Sequence, residues 1–477
     1  MMDWSQWKAS RVLEWFEQLC AIPHGSGNTK EISDFCVAFA RERGLAVRQD
    51  AWNNVVIVRE ADPGMEDRPS VMLQAHLDMV CEKEREFDFT RDGLELVVKG
   101  EELFARGTTL GGDDGIGVAL ILTLLEGAEV PLPRIEGILT VDEETGMDGA
   151  EHLDLSSLQA TRMINLDSEE EGVFTVGCAG GEHLCWQQPV TRQTIQGAVL
   201  RVNIEGLTGG HSGTEIGRGG GSAVHLLGQL LETMGKAAEF SLSTVFGGTQ
   251  SNAIPRGGEC ELVCMPEAVP LLRQRAEALI DRWRQQYADT DPKLLVSITE
   301  ETGERVCMSR SETDRLISLL SRFPFGVIRR DSSGQVQTSL NLGVLRTCPG
   351  EVTGLCSVRA NRTEEIGEVM NRLTDLCAQT GAKIRREGAY PAWERAKSSP
   401  LCQKMMTCYE ELFSEKATVT VIHAGLECGL FAKKIPGFDC VSIGPDLREI
   451  HTVRERLSLP SLDRLWRFLL QLFQNWG

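Results

Sequence analysis

Five short apolar runs in this chain each give way to a turn that carries an acidic residue or a histidine. They are Val71-Met-Leu-Gln-Ala-His-Leu-Asp78, Thr108-Thr-Leu-Gly-Gly-Asp-Asp-Gly115, Gly137-Ile-Leu-Thr-Val-Asp-Glu-Glu-Thr-Gly146, Ile164-Asn-Leu-Asp167, and Val441-Ser-Ile-Gly-Pro445 leading to His451. Open α/β sheets place their sites at strand ends and in the loops that follow. The pattern predicts one sheet whose strand ends gather His76, Asp78, Asp113, Glu143, Glu144, Asp167 and His451 into a two-metal site.

The rest of the chain supports such a sheet. Helical periodicity runs over residues 10–20 and again after Asn28, and strand-like runs follow at 54–58, 71–75, 136–141 and 163–166. Gly115 to Leu125 is apolar nearly all round and reads as a buried helix. Strands alternating with helices imply a largely parallel sheet covered on both faces. Between about 180 and 395 the pattern changes. Strand runs at 198–204, 257–264, 295–299 and 352–359 alternate with helices at 219–235, 266–287, 311–322 and 363–379, an α+β module in strand-helix-strand-strand-helix-strand order. The α/β alternation returns with a helix at 400–413, a strand at 417–421 and a helix near 460–475. The expected fold class is α/β, with a mixed, largely parallel sheet flanked by helices. The expected domains are 1–178 with 396–477, and an inserted α+β lid over 179–395. An insertion of that size accounts for the distance in sequence between His451 and the other candidates.

Each motif has a chemical reading and a plainer one. His76 and Asp78 share a strand face, so the carboxylate can hold the imidazole's second N–H and fix its tautomer. They also fit a solvated strand end. The Gly111-Gly112 turn lets a backbone approach an ion closely, and an aspartate after it can bridge two cations. An ordinary surface turn fits too, whereas a phosphate loop would be repelled by Asp113 and Asp114. Glu143 and Glu144 end a buried strand, where acids are costly unless paired or metal-bound. One can ligate while its neighbour acts as general base, or both can sit at a helix N-terminus. His211, between glycines in Gly209-Gly-His-Ser-Gly213, is a poor core residue and can stabilise an oxyanion or lie in a solvated turn. Together the histidines and carboxylates suit zinc or a similar divalent ion.

Composition narrows the partners. The 477 residues carry net charge −20 and a pI near 5.0, which argues against nucleic acid and anionic membrane. No basic segment followed by a long apolar stretch opens the chain, and the longest apolar run is too short to span a bilayer. The fifteen cysteines are odd in number and set mostly inside apolar runs, as in a reduced, cytoplasmic protein.

His76-Leu-Asp-Met-Val-Cys-Glu-Lys83, Gly107-Thr-Thr-Leu-Gly-Gly-Asp-Asp-Gly-Ile-Gly117, Thr140-Val-Asp-Glu-Glu-Thr-Gly146, Gly209-Gly-His-Ser-Gly213 and His423-Ala-Gly-Leu-Glu-Cys-Gly-Leu-Phe431 make the chain recognisable. It resembles the aminoacyl-histidine dipeptidases (Xaa-His dipeptidases), within the co-catalytic zinc peptidases that include aminoacylase and carboxypeptidase relatives. The resemblance runs from about residue 5 to the C-terminus. It implies that His76 and Asp167 bind one metal, Glu144 and His451 the other, and that Asp113 bridges them. It makes Asp78 the residue that orients His76, and Glu143 the general base. His211 would bind the substrate carbonyl or the tetrahedral intermediate, across a dimer or within one chain. Asn252, Arg359 and Glu427 join it as substrate-binding residues, Asn252 and Arg359 on the substrate's C-terminal carboxylate. The chain departs from the family at Asp114, where asparagine is common, and at Val453, where proline usually follows.

The expected protein is a cytoplasmic metallo-dipeptidase for unblocked dipeptides, with Xaa-His and carnosine-like substrates foremost. Its cofactors would be two divalent ions: zinc, with manganese or cobalt as alternatives. Its partner would be a small dipeptide, with neither nucleic acid nor membrane, and a homodimer would form through the lid. An N-acyl-amino-acid deacylase is the rival on the same metals, and a non-catalytic metal-binding homologue is the rival of another class.

Overall fold

The computed structural model describes residues 2–477. They form two compact units. One holds the chain up to Cys178, then Trp393–Val421 and Leu426–Gly477; the other holds Ala179–Ala392 and Ile422–Gly425.

In the first unit an eight-stranded sheet runs in the order Ala46–Gln49, Val55–Arg59, Ile135–Thr140, Val71–His76, Arg162–Asn165, Asp439–Ser442, Val173–Cys178, Thr418–Ile422. The middle of the sheet is parallel: Ile135–Thr140, Val71–His76, Arg162–Asn165 and Asp439–Ser442 all point one way. Antiparallel pairs flank them. Every residue of Val71–His76 and Ile135–Thr140 is buried, which is why these strands are mostly apolar on both faces, with Gln74, His76, Glu136 and Thr140 as their buried polar residues. The helix Gly112–Glu126 is buried along almost its whole length and packs against Ser10–Cys20 and the strand Val71–His76. Helices Lys30–Glu42, Pro400–Phe413 and Leu459–Gln474 turn their apolar faces to the same core.

A small four-stranded sheet in the same unit has no counterpart among the sequence expectations. Its order is Leu447–Arg448, Arg456–Ser458, Glu102–Ala105, Leu96–Lys99. It makes residues 447–458 a hairpin with His451 in its loop, and pairs Leu457 with Leu103.

The second unit is a nine-stranded antiparallel sheet with helices Ala223–Gly235, Val269–Gln286, Arg310–Arg322 and Thr363–Thr380 sharing its core. It is richer in strands than the sequence pattern suggests. The run expected at 295–299 continues to Met308 through exposed charged residues, and Gly180–Pro189, Phe240–Gly247, Val336–Cys348 and Lys383–Tyr390 add strands outside the expected set. Lys383–Tyr390 and the charged stretch before Met308 face solvent and carry little periodic signal. All fifteen cysteines are free. Among the described residues no helix is long and apolar enough to cross a membrane.

Candidate metal centre

Parallel register brings the candidate residues to one edge of the first unit's sheet. His76 pairs with Thr140, and Gln74 with both Ile138 and Asn165. Ser442 pairs with Asn165. The four strands therefore end level, and the residues just beyond them share one rim: Asp78, Glu143 and Glu144, Asp167, and the loop towards His451. Glu143 and Glu144 open a single helical turn, entered through Asp142 at φ 57°. The Asp113 loop completes the rim. Gly111 there holds a left-handed φ of 65°, and a Cβ on it would lie 2.9 Å from the Met79 sulfur.

Asp113 stands between the two histidines. His76 Nε2 lies 3.1 Å from its Oδ1, and His451 Nε2 lies 3.1 Å from its Oδ2. His451 Nε2 is also 2.8 Å from Glu144 Oε1, and His76 Nε2 is 3.6 Å from Asp167 Oδ1. His76 Nδ1 donates to the backbone carbonyl of Asp78 at 2.9 Å, with the Asp78 carboxylate 3.5 Å away. The peptide oxygen, not the carboxylate, is thus the nearer partner that fixes the tautomer. Asp114 braces the strand end. Its Oδ2 accepts the His76 backbone N–H at 3.2 Å, and its Oδ1 fills the space that a Cβ at Gly117 would need.

Three groups of side chains each offer ligand atoms within 4.8 Å of one another: His76, Asp114 and Asp167; His76, Glu143 and Glu144; and Asp113, Glu144 and His451. The electrostatics match this crowding. Burial pushes Glu143 well above the ordinary carboxylate range, with Asp167 adding to it, and pushes Asp167 up to about 7. Burial and Asp113 raise Glu144. Against burial, His451 and His76 hold Asp113 well below the ordinary range. Against its own burial, His451 is pushed up to about 11 by Asp113 and Glu144. Carboxylates packed this closely stay charged only beside positive charge. Imidazole nitrogens and carboxylate oxygens are the ligands that zinc-like ions take, so the residues fit a pair of divalent cations.

The second unit arranges its own candidates. His211 and Asn252 lie in one short ribbon: His211 pairs with Ala253, and Ser212 N–H donates to Asn252 O at 2.8 Å. Thr214 N–H donates to His211 Nδ1 at 3.3 Å, which puts the ring proton on Nε2. Arg359 is buried, gives Nη1 to Tyr390 Oη at 2.8 Å, and keeps a buried Nε with no partner among the described residues. Glu427, in the first unit, is fully buried. Its Oε2 accepts from Gln74 Nε2 at 2.5 Å and Thr140 Oγ1 at 2.6 Å, while Oε1 has no partner among the described residues.

A family model described as peptidase family M20/M25/M40 matches residues 72–475. The chain belongs to this peptidase family. It is an M20 metallopeptidase, similar along its whole length to the cytosol non-specific dipeptidase of Escherichia coli (strain K12), at 35% identity over 481 residues, covering 100% of this chain and 99% of the relative. The crystal structure of an aminoacylhistidine dipeptidase from Vibrio alginolyticus superposes with a TM-score of 0.89 at 33% identity, covering 100% of this chain and 98% of that one. The aminopeptidase PepT of Bacillus cereus shares the fold, with a TM-score of 0.62 at 16% identity over 98% of each chain.

This M20 chain also uses residues that sequence reasoning missed. Ser26 Oγ donates to Asp78 Oδ2 at 2.8 Å, and Gly27 N–H to Asp142 Oδ1 at 2.7 Å, so the loop after the first helix braces the rim. In the second unit His423 receives the Ser339 hydroxyl on Nε2 at 2.8 Å and gives Nδ1–H to Asn361 Oδ1 at 3.0 Å. These contacts hold Ile422–Gly425 in that unit. The repeated glycines around His211 and the His423 motif were the available signals; Ser26, Ser339 and Asn361 had none.

Proposed function

We propose that this chain is a cytoplasmic dinuclear zinc dipeptidase acting on unblocked dipeptides, with Xaa-His, carnosine-like substrates foremost. The observation that carries the reading is the Asp113 carboxylate, whose two oxygens each face a different histidine at 3.1 Å. His76 and Asp167 would hold one ion and Glu144 and His451 the other, with Asp113 shared. The cations would polarise the scissile carbonyl and acidify the attacking water. Glu143 takes the water's proton and hands it to the leaving amine nitrogen. Asp78 holds His76 in register. In the inserted lid, His211 offers Nε2–H to the developing oxyanion. Arg359, with its unpartnered Nε, and Asn252 take the substrate's C-terminal carboxylate. The lid's long edge strand Leu295–Met308, with Leu295 and Val306 exposed, supports a homodimer through this unit.

Metal analysis of the purified protein, beside turnover of a free dipeptide panel and the N-acetylated counterparts, tests the reading. Two equivalents of metal with cleavage of free dipeptides is the expected result. Preference for the acetylated series would make the enzyme a deacylase, and tight metal binding with no turnover would make it a non-catalytic relative.

A further inference from the structure

Glu455 lies four residues beyond His451, in the same hairpin, and its side chain is buried. Its carboxylate accepts backbone N–H groups from the loop that carries Asp113. Oε2 takes those of Leu110 at 2.7 Å and Gly111 at 3.0 Å; Oε1 takes those of Gly112 at 2.8 Å and Asp113 at 3.3 Å. Gly112 makes the approach possible, since a Cβ there would lie 3.2 Å from Glu455 Oε1 and 2.7 Å from Leu447 Cδ2.

A carboxylate that accepts several backbone amides at the start of a helix is common as a cap. Here the cap comes from a segment more than 300 residues away, and that segment presents His451. The hairpin loop's own contacts are local: Thr452 Oγ1 donates to Glu449 O at 2.8 Å and Arg456 Nη1 to Glu449 Oε1 at 2.8 Å, and Glu455 adds side-chain bonds from the hairpin to the Asp113 loop. Glu449 and His451 hold left-handed φ values of 51° and 58°, which non-glycine residues keep only when their surroundings impose them. Glu455 therefore ties the Asp113 loop to the base of the His451 loop through four short contacts. By contrast, His76 and Asp167 sit at the ends of paired strands and take their positions from the sheet.

We infer that Glu455 is a positioning residue that sets the affinity of the Asp113–Glu144–His451 pocket more strongly than that of the pocket built on His76 and Asp167, because the first takes both Asp113 and His451 from the tied segments and the second takes only Asp113. The inference rests on the dinuclear reading above. Residues that orient metal ligands typically change metal affinity 10–100-fold when replaced. A cap of purely structural value would lower stability and weaken both ions alike.

The test is calorimetric titration of the chelator-stripped, full-length protein with Zn2+, with melting temperatures of the metal-free forms measured alongside. In Glu455→Gln, one of the two ions should weaken about 10–100-fold and the other by a clearly smaller factor. In the His451→Ala background, which removes that pocket, adding Glu455→Gln should weaken the remaining ion no more than it weakens the less affected ion in Glu455→Gln alone, because coupled residues are not additive. Gly112→Ala presses on the same contact without altering Glu455 and should weaken the same ion more than the other, which keeps the test open should the Gln variant fold poorly. Equal weakening of both ions, no weakening of either, or a further loss of about 10–100-fold in the His451→Ala background would overturn the inference. A wild-type protein that binds fewer than two ions would overturn the dinuclear reading itself, and this inference with it.

Discussion

The carboxylate of Asp78 accepts the backbone N–H of Glu143 at 3.1 Å through Oδ1, while its Oδ2 takes the Ser26 hydroxyl at 2.8 Å. The residue beside His76 thus also fixes the start of the turn that carries the proposed base and the Glu144 ligand. Asp78→Asn keeps the shape but turns an amide NH2 towards one of these donors. Steady-state kinetics should show kcat lowered about 10–100-fold with the protein still folded. An unchanged kcat would mean that the turn holds its place without Asp78.

Glu143 contributes to the proposed reaction through its proton. Glu143→Ala should keep both metal ions by elemental analysis and lose about 10²–10⁴-fold in rate, the range of a positioned acid/base group. Loss of metal in parallel with rate would reassign Glu143 as a ligand, a role that its place in a group with His76 and Glu144 also allows.

Arg359 offers a test of carboxylate binding that leaves the metals untouched. Lysine keeps the charge and loses the planar fork. Arg359→Lys should raise KM for dipeptides by about 10–100-fold, the worth of one or two hydrogen bonds to a charged group, with a smaller change in kcat. A dipeptide amide should bind wild type and variant alike; if the amide also discriminates, Arg359 serves the fold instead.

Removal of the cations should expose what they contribute to the fold. With His76, Asp113, Glu144, Asp167 and His451 crowded together, chelation should abolish activity and lower the melting temperature, and Zn2+ should restore both. At a free ion concentration 100 times the dissociation constant, each site adds about 2.7 kcal/mol. A melting temperature indifferent to chelator would show that the carboxylates share their protons without needing a cation.

How much of this was legible in the chain depended on what each residue rests against. Val71–His76 and Ile135–Thr140 stand out because burial on both faces favours mostly apolar residues, and the acidic residues just past them are marked by contrast. The hairpin around His451 has strands of two and three residues whose partner, Glu102–Ala105, lies some 350 positions earlier, and no local pattern can encode such a pairing. Glu455 and Ser26 look like surface residues until the fold buries the first and aims the second at Asp78. Leu295–Met308 was only half legible because its charged stretch faces water.

Glu427 is the buried acid whose pH behaviour the fold most sharply constrains. Burial, opposed by the Thr140 hydroxyl and by His76, pushes it from an ordinary value of 4.5 up to about 8. A raised carboxyl favours the protonated form in the folded state. Its contribution to stability is therefore complete below about pH 4.5, declines as pH rises, and is gone above about pH 8. Glu427→Gln has the same shape and cannot ionise, so its stability relative to wild type should climb across that window and level off beyond it. Each pKa unit is worth about 1.4 kcal/mol, so the full climb is bounded at roughly 5 kcal/mol. Urea unfolding of the two metal-free proteins at pH 5, 6.5 and 8 reads the difference directly, and titrations common to both cancel. A difference that stays flat across the three would mean that Glu427 is already charged at pH 5, held there by its contacts with Gln74 and Thr140.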